Sequence, residues 1–261
     1  MGWSKDVGAL GAGVIDFVNA SLKTEQIGEV EAKGFFSLSG VAIEEDVIQF
    51  PQSNFYCSEE RNLIIFKSDP PVLEQYRFLN STLDAAKYFK AKEIYTIGGI
   101  VSLRAHTAPR RISGVVNKEK LKSMLAEYDG LEVNIDYRTP PGERPTPSSF
   151  LLWMAKMRNI PTVNLWGEVP FYLGNAFDAR AGEHVLDFLN RRLSLNMDLT
   201  PLREESEEQS GMIGKLRGQS PEVGKCIEML ERGIMLQPEE SERLRREVMK
   251  ILSQRRPPEW S

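Results

Sequence analysis

Hydrophobic positions change period several times along this chain, and each change marks a boundary between elements. From Val7 to Leu22, the residues Val14, Phe17, Val18 and Leu22 recur at helical spacing and predict an amphipathic helix. Ile27 to Phe36 and Val41 to Phe50 read as extended, and Pro51 opens a loop running through Cys57. Asn62-Leu-Ile-Ile-Phe-Lys67 is a nearly unbroken apolar run of strand length, the pattern of a strand covered on both faces. Ser68-Asp69-Pro70-Pro71 stops it. Glu74 to Phe89 returns to helical spacing, with Leu79, Leu83 and Ala86 facing inward. Ile94 to Ile97 and Arg111 to Val116 are the next strands. Asn117 stands as N-cap of a helix carrying Leu121, Met124, Leu125 and Tyr128.

Thr139-Pro-Pro-Gly-Glu-Arg-Pro-Thr-Pro147 is too short for a domain linker and reads as a surface loop. Its end is a helix start, with Thr146 as cap and Pro147 at the first helical position, and that helix runs to about Asn159. Thr162 to Trp166 is a strand, and Asp178 to Leu195 a long helix with Ala181, Val185, Phe188, Leu189 and Arg192 on one side. Glu204 to Gln209 reads as an acidic, solvated stretch. Ser220-Pro221 and Gln237-Pro238 then open two helices whose apolar stripes, Val223, Ile227, Leu230 and Leu244, Val248, Ile251, Leu252, form an αα-hairpin. Those stripes need cover, either from the main domain or from another subunit. The division expected is an α/β domain over residues 1–203, followed by an acidic linker and helical hairpin over 204–261. Strands alternating with helices predict a mainly parallel sheet, with Leu63–Phe66, Ile94–Ile97 and Thr162–Trp166 as neighbours or near-neighbours.

Composition narrows the function classes. The chain has 261 residues, 41% hydrophobic and 27% charged, enough for one large α/β domain with an appendage. A net charge of -4 argues against a general nucleic-acid surface. Cys57 and Cys226 are the only cysteines and His106 and His184 the only histidines, too scattered for a disulfide framework or a metal site. No apolar run reaches the length of a membrane helix, and Met1-Gly-Trp-Ser-Lys-Asp6 lacks the form of a signal peptide. These features place the protein in the cytoplasm with reduced thiols, no cofactor, no metal, no nucleic acid and no membrane.

Three strand ends converge if the sheet is parallel: Ser68-Asp69-Pro70, Gly98-Gly99 and Gly167-Glu168-Val169-Pro170. Convergence would set Asp69 and Glu168 beside two glycines that allow close backbone approach. Paired carboxylates can divide acid and base work when burial splits their pKa values. The simpler reading makes Asp69 a turn cap and Glu168 an acceptor of backbone N–H groups near Gly98-Gly99. Glu168 is then at least half-buried and pins the loop carrying Pro170, Phe171 and Tyr172. His106 follows the glycine pair closely enough to reach the same crevice, and Trp166 and Tyr172 could line it or serve an interface. Gly8-Ala-Leu-Gly-Ala-Gly13 does not match a dinucleotide fingerprint and reads as close helix–sheet packing. No Gly-x-Ser-x-Gly elbow and no Walker loop occur.

The order of these pieces resembles the proteasome assembly chaperone 2 family. The resemblance rests on Asn54-Phe-Tyr-Cys57, Asn62-Leu-Ile-Ile-Phe66, Ile94-Tyr-Thr-Ile-Gly-Gly99, Gly167-Glu-Val-Pro-Phe-Tyr172 and the Leu186 to Leu199 segment, and it spans most of residues 7 to 203. It implies a three-layer α/β/α sandwich similar to the nucleoside phosphorylase/hydrolase-like fold, self-association, and, as in eukaryotic and some archaeal relatives, chaperoning of proteasome subunits. It carries over no catalytic residues. Two departures stand out. The apolar strand that usually precedes Gly-Trp is absent before Gly2-Trp3, which predicts a sheet short of one strand. The chain ends Glu259-Trp260-Ser261, with glutamate where a hydrophobic residue precedes the penultimate aromatic in proteasome-activating relatives, so direct docking into a proteasome pocket is not expected. The reading is a non-enzymatic, self-associating protein that binds other proteins, with proteasome-like or other clients. The alternative is a small-molecule-binding protein or a hydrolase/phosphorylase-like enzyme using the crevice near Gly98, His106 and Glu168, and, more weakly, an ATP-dependent ligase.

Overall fold

The computed structural model describes residues 1–37, 40–44, 46–255 and 260. In chain order the strands are β1 (Gly2–Trp3), β2 (Glu25–Glu29), β3 (Ala42–Glu44), β4 (Val47–Gln49), β5 (Ser53–Ser58), β6 (Leu63–Ser68), β7 (Ile94–Ser102), β8 (Ile112–Val116), β9 (Leu131–Glu132) and β10 (Thr162–Pro170). The helices are α1 (Leu10–Leu22), α2 (Gln75–Tyr88), α3 (Glu119–Leu125), α4 (Pro147–Met157), α5 (Ala179–Leu193), α6 (Thr200–Gln219), α7 (Pro221–Glu231) and α8 (Pro238–Leu252).

Eight strands form one sheet in the order β2-β5-β6-β1-β7-β10-β8-β9. Its centre, β6-β1-β7-β10, is parallel throughout. Antiparallel β5 and β2 extend one side, and antiparallel β8 the other. The three strands expected at the centre are there, with β7 beside β10 and β6 one place removed. The place between β6 and β7 is taken by Gly2 and Trp3 themselves, so the expected gap is filled over two residues: Gly2 pairs with Lys67 and Ile97, and Trp3 with Ser68.

Helices cover both faces, giving the three layers. α1, α3 and α5 bury Val14, Phe17, Leu121, Leu125, Val185 and Phe188 on one face. α2 and α4 bury Phe78, Leu79, Leu83, Leu151 and Met154 with Trp3 and Phe66 on the other. Several starts are set by local chemistry. Asp178 caps α5 by accepting the N–H of Ala181, Thr146 caps α4 and Ser220 caps α7, each ahead of the expected helix. α7 and α8 form the expected hairpin. Their stripes close onto the main core in cis, where Val223, Ile227, Leu244 and Val248 join the cluster that contains Val163 and Leu165.

Four local expectations are corrected. The loop read after Pro51 is strand β5, because Ser53 to Ser58 find cross-strand partners in Ser68 to Leu63 and the Phe55 and Phe66 rings approach to 4.5 Å. The extended reading of Ile27 to Phe36 holds only to Glu29; the chain then turns to place Phe35 and Phe36 on Phe78. Asn117 does not cap α3. Its side chain donates to the Ile160 carbonyl at 2.8 Å and accepts the Thr162 N–H at 3.0 Å, tying that corner to the start of β10. Glu204 to Gln209 is the middle of α6, which crosses the expected boundary at 203/204. The buried positions of α6 are Leu202, Ser206, Gln209 and Ile213, a helical stripe that is half polar and so invisible to hydrophobic periodicity. Gln209 satisfies its burial by donating to the Phe177 carbonyl at 2.9 Å.

Candidate functional site at the strand ends

The site begins where β1 stops. β7 continues for several residues past Trp3, so its β1-facing N–H groups lose their strand partner. Ile97 still donates to the Met1 carbonyl at 2.9 Å. Two residues on, the Gly99 N–H instead meets Asp6 Oδ2 at 3.0 Å. The same oxygen accepts the Gly11 N–H at 2.9 Å, in the first turn of α1. One carboxylate thus satisfies an orphaned strand donor and an orphaned helix donor together. Its second oxygen, Oδ1, is buried with no partner among the described residues. Burial pushes the Asp6 carboxyl up to about 6, against the downward pull of the Gly11 and Gly99 N–H groups.

Close backbone packing surrounds this carboxylate. A Cβ on Gly99 would stand 1.9 Å from the Val7 carbonyl oxygen, and one on Gly11 would stand 2.7 Å from the Ile97 carbonyl oxygen. The Gly8 to Gly13 segment therefore does what close helix–sheet packing requires, and the α1 N-terminus is occupied by the chain's own Asp6. Trp166 flanks Gly98, where a Cβ would lie 3.7 Å from Trp166 Cδ1 and 3.6 Å from Asp6 Oδ2.

The two carboxylates read from the sequence do not meet. β1 and β7 lie between β6 and β10, so Asp69 and Glu168 are separated by three strand spacings, about 14 Å. Asp69 is a turn cap: it accepts the Ser4 hydroxyl and, at 3.1 Å, the Gln52 N–H. Glu168 is not held by backbone N–H groups at Gly98-Gly99. Gly167 faces Leu10 and Val185, and strand alternation turns Glu168 to the opposite face. There, partly buried, it lies 3.8 Å from the Arg104 guanidinium, and the Gly99 N–H it was expected to accept goes to Asp6 instead. Pro170 ends β10 as a buried residue.

His106 turns away from the glycine pair. It is buried beneath the C-terminal helices, where the Tyr172 hydroxyl accepts its backbone N–H at 2.6 Å and lies 2.9 Å from its Nδ1. Burial, reinforced by Arg110, pulls His106 down to about 4, and burial pushes the Tyr172 hydroxyl above its usual range. The hydroxyl keeps its proton, and because Nδ1 is the one acceptor that this buried group meets among the described residues, the hydrogen bond it donates there leaves the His106 proton on Nε2. Arg110 completes this second cluster. It pairs with Asp178 at 2.9 Å, both side chains almost fully buried, and donates to the His106 and Ala108 carbonyls at 3.1 Å. Thr107 and Arg217 converge on Glu231 and fasten the β7–β8 loop to α6 and α7. Asp6 went unread because no strand was expected before the glycine-bearing helix start, and its role comes from the two-residue strand β1. The fastening of His106 depends on helices some 65 and more residues away and had no local signal.

No group of three histidine, cysteine or acidic residues could hold a metal, and no helix is long and apolar enough to cross a membrane, among the described residues. Cys57 and Cys226 are both free thiols. The chain resembles known proteins over most of its length. An uncharacterized protein of Methanocaldococcus jannaschii is 22% identical over 193 residues, 72% of this chain and 71% of that protein. The crystal structure of PbaB, an archaeal proteasome activator from Pyrococcus furiosus, superposes with a TM-score of 0.65 at 24% identity, covering 81% of this chain and 92% of that one. A proteasome-assembly chaperone homologue of Mycobacterium tuberculosis gives 0.70 at 16% identity, covering 87% and 97%. These likenesses establish a common fold. The PAC2 family model matches residues 2–217, from β1 into α6, and with that match over most of its length the chain belongs to the PAC2 family.

Proposed function

We propose that this protein is a non-enzymatic, assembly-chaperone-like factor of the cytoplasm that self-associates and binds other proteins, with proteasome-like subunits as the first class of client to test. The observation that carries the reading is the state of the strand ends. The place where an open α/β sheet would hold a small ligand is filled by Asp6, the Val7 carbonyl and the Trp166 ring. Asp69, His106 and Glu168 are each bound to separate structural partners. Membership of the PAC2 family, and likeness to proteins described as a proteasome activator and an assembly-chaperone homologue, support protein partners.

Affinity capture of the tagged full chain from its native cells, read by mass spectrometry, tests the client. Reproducible enrichment of the subunits of one complex, reconstituted with purified components, is the expected result. Light scattering at micromolar concentration tests self-association. A clean monomer that captures nothing above background counts against both halves of the proposal. Turnover of a nucleoside or ester that disappears in Asp6→Asn would replace it with the enzyme reading.

A further inference from the structure

Helix α4 is apolar on two sides. Leu151, Met154 and Ala155 face the sheet and are buried. Phe150, Trp153 and Met157, spaced i, i+3 and i+7, form a second stripe on the outer side, where Trp153 is 51% and Met157 73% exposed. The Phe150 and Trp153 rings stack at 5.6 Å with an interplanar angle of 6°, and Tyr76 of α2, 59% exposed, joins Phe150 at 6.3 Å. A helix that faces solvent on one side ordinarily keeps that side polar.

A second unpartnered apolar feature leaves the chain on this same face. Among the described residues, β3 and β4 pair only with each other, outside the main sheet. Ile43 is 75%, Val47 57% and Ile48 72% exposed. A lone two-stranded hairpin is at best marginal in water without a surface to lie on. The chain reaches the hairpin from Phe35 and Phe36, which are packed on Phe78 of α2, so it emerges over the α2/α4 layer.

We infer that the β3–β4 hairpin of one copy docks on the Tyr76–Phe150–Trp153–Met157 ridge of a second copy, reciprocally about a two-fold axis. The inference rests on the self-association half of the proposed function and gives it a surface. Two observations favour a second copy as occupant. The first is charge. Asp46, just before β4, is an exposed acid, whereas Lys87 in the last turn of α2, Lys90 and Lys92 just beyond it and Lys156 on α4 are exposed bases. The Arg158–Asp84 contact at 2.6 Å holds the carboxyl-terminal end of α4 beside that part of α2, so the basic groups flank the Met157 end of the ridge. An apolar hairpin that carries the exposed acid Asp46 matches an apolar ridge with a basic end. The second is area. With aromatic side chains carrying about 150–250 Å² each, the exposed parts of ridge and hairpin offer on the order of 800 Å² per copy. That is about what each partner contributes to a standard interface. Each copy carries both halves, as a two-fold interface requires.

The test uses the full chain. Light scattering compares the wild type with Ile48→Asp and Trp153→Asp; both sites are exposed, and circular dichroism melts check that each variant is folded. The expected result is an even-numbered oligomer whose dissociation constant rises by about tenfold or more in either variant. A second measurement is independent of destabilisation. Chains carrying Ile48→Cys and chains carrying Trp153→Cys, both with Cys57→Ala and Cys226→Ala, are mixed and mildly oxidised. A disulfide-linked heterodimer is expected, and none when Glu228→Cys replaces the ridge cysteine. An oligomer untouched by both aspartates, with no heterodimer, overturns this surface and leaves self-association standing. A wild-type monomer overturns both. Loss of client capture in the aspartate variants, with the mass unchanged, overturns the inference and gives the face to another protein.

Discussion

The Tyr172 hydroxyl holds His106 at two points, accepting its backbone N–H at 2.6 Å and donating to its Nδ1 at 2.9 Å. Both residues are buried, so water cannot replace either bond. Tyr172→Phe leaves an N–H and a ring nitrogen unsatisfied, at a cost of about 1–3 kcal/mol. The expected result is a lower urea midpoint with an unchanged slope, because the ring and its packing remain. Nitrogen NMR of the wild type should place the His106 proton on Nε2.

The pH dependence of stability has two opposing sources. His106 stays neutral down to about 4 in the folded protein, below the ordinary value of 6.5, because of burial. Its neutral-state stability is complete above the unfolded value and is lost as pH falls from 6.5 to 4, when only the unfolded chain takes the proton. The full effect is about 3 kcal/mol. His106→Gln should remove that acid sensitivity, measured by denaturant unfolding at successive pH values.

Asp6 acts with the opposite sign. Its carboxyl is raised from 3.8 to about 6 in the folded state by burial. Below 3.8 the acid is neutral in both states and imposes no penalty. As pH rises from 3.8 to 6 the unfolded chain ionises first, so stability falls by at most about 3 kcal/mol and stays lower above 6. Asp6→Asn should abolish this term while one amide oxygen still accepts from Gly11 and Gly99. In the wild type the two residues largely offset one another between pH 4 and 6. Asp6→Asn should then show a stability that drops as acid is added, and His106→Gln one that rises over the same window.

These contrasts show which parts of the molecule were readable in the sequence. The strands β6, β7 and β10, the cap Thr146 and the helix starts at Asp178 and Ser220 were legible because periodicity and helix-start signals are local. β5 was missed because its strand character comes from pairing with β6, and α6 because half of its inward stripe is polar. At the strand ends the sequence pointed to the right place but to the wrong acid. Asp69 and Glu168 lie at strand ends as expected, yet the strand order sets β1 and β7 between them. Strand order is a property of the whole chain. Asp6 gains its role only because β1 is short enough to leave the Gly99 N–H without a strand partner.

The adjacent glycines Gly98 and Gly99 give the sharpest test of that arrangement. Read from sequence they are equivalent, both permitting close backbone approach. In the structure only one needs to be glycine. A Cβ on Gly98 would meet Asp6 Oδ2 at 3.6 Å and Trp166 Cδ1 at 3.7 Å, ordinary contacts. A Cβ on Gly99 would meet the Val7 carbonyl oxygen at 1.9 Å and its carbon at 2.9 Å. These are backbone atoms, and moving them displaces the Val7–Ala9 turn and Asp6 just before it. Gly98→Ala should therefore be neutral or stabilising by up to about 1 kcal/mol, since it removes backbone freedom from the unfolded chain within a strand. Gly99→Ala should cost about 3 kcal/mol or more, beyond an ordinary overpacked side chain because the obstruction is main chain. It should also break the Asp6–Gly99 hydrogen bond, so any soluble Gly99→Ala protein should show an altered pH dependence between 4 and 6. Parallel unfolding curves of the two alanine variants decide the matter, and equal stabilities would mean that β7 and the turn after β1 are not packed as described.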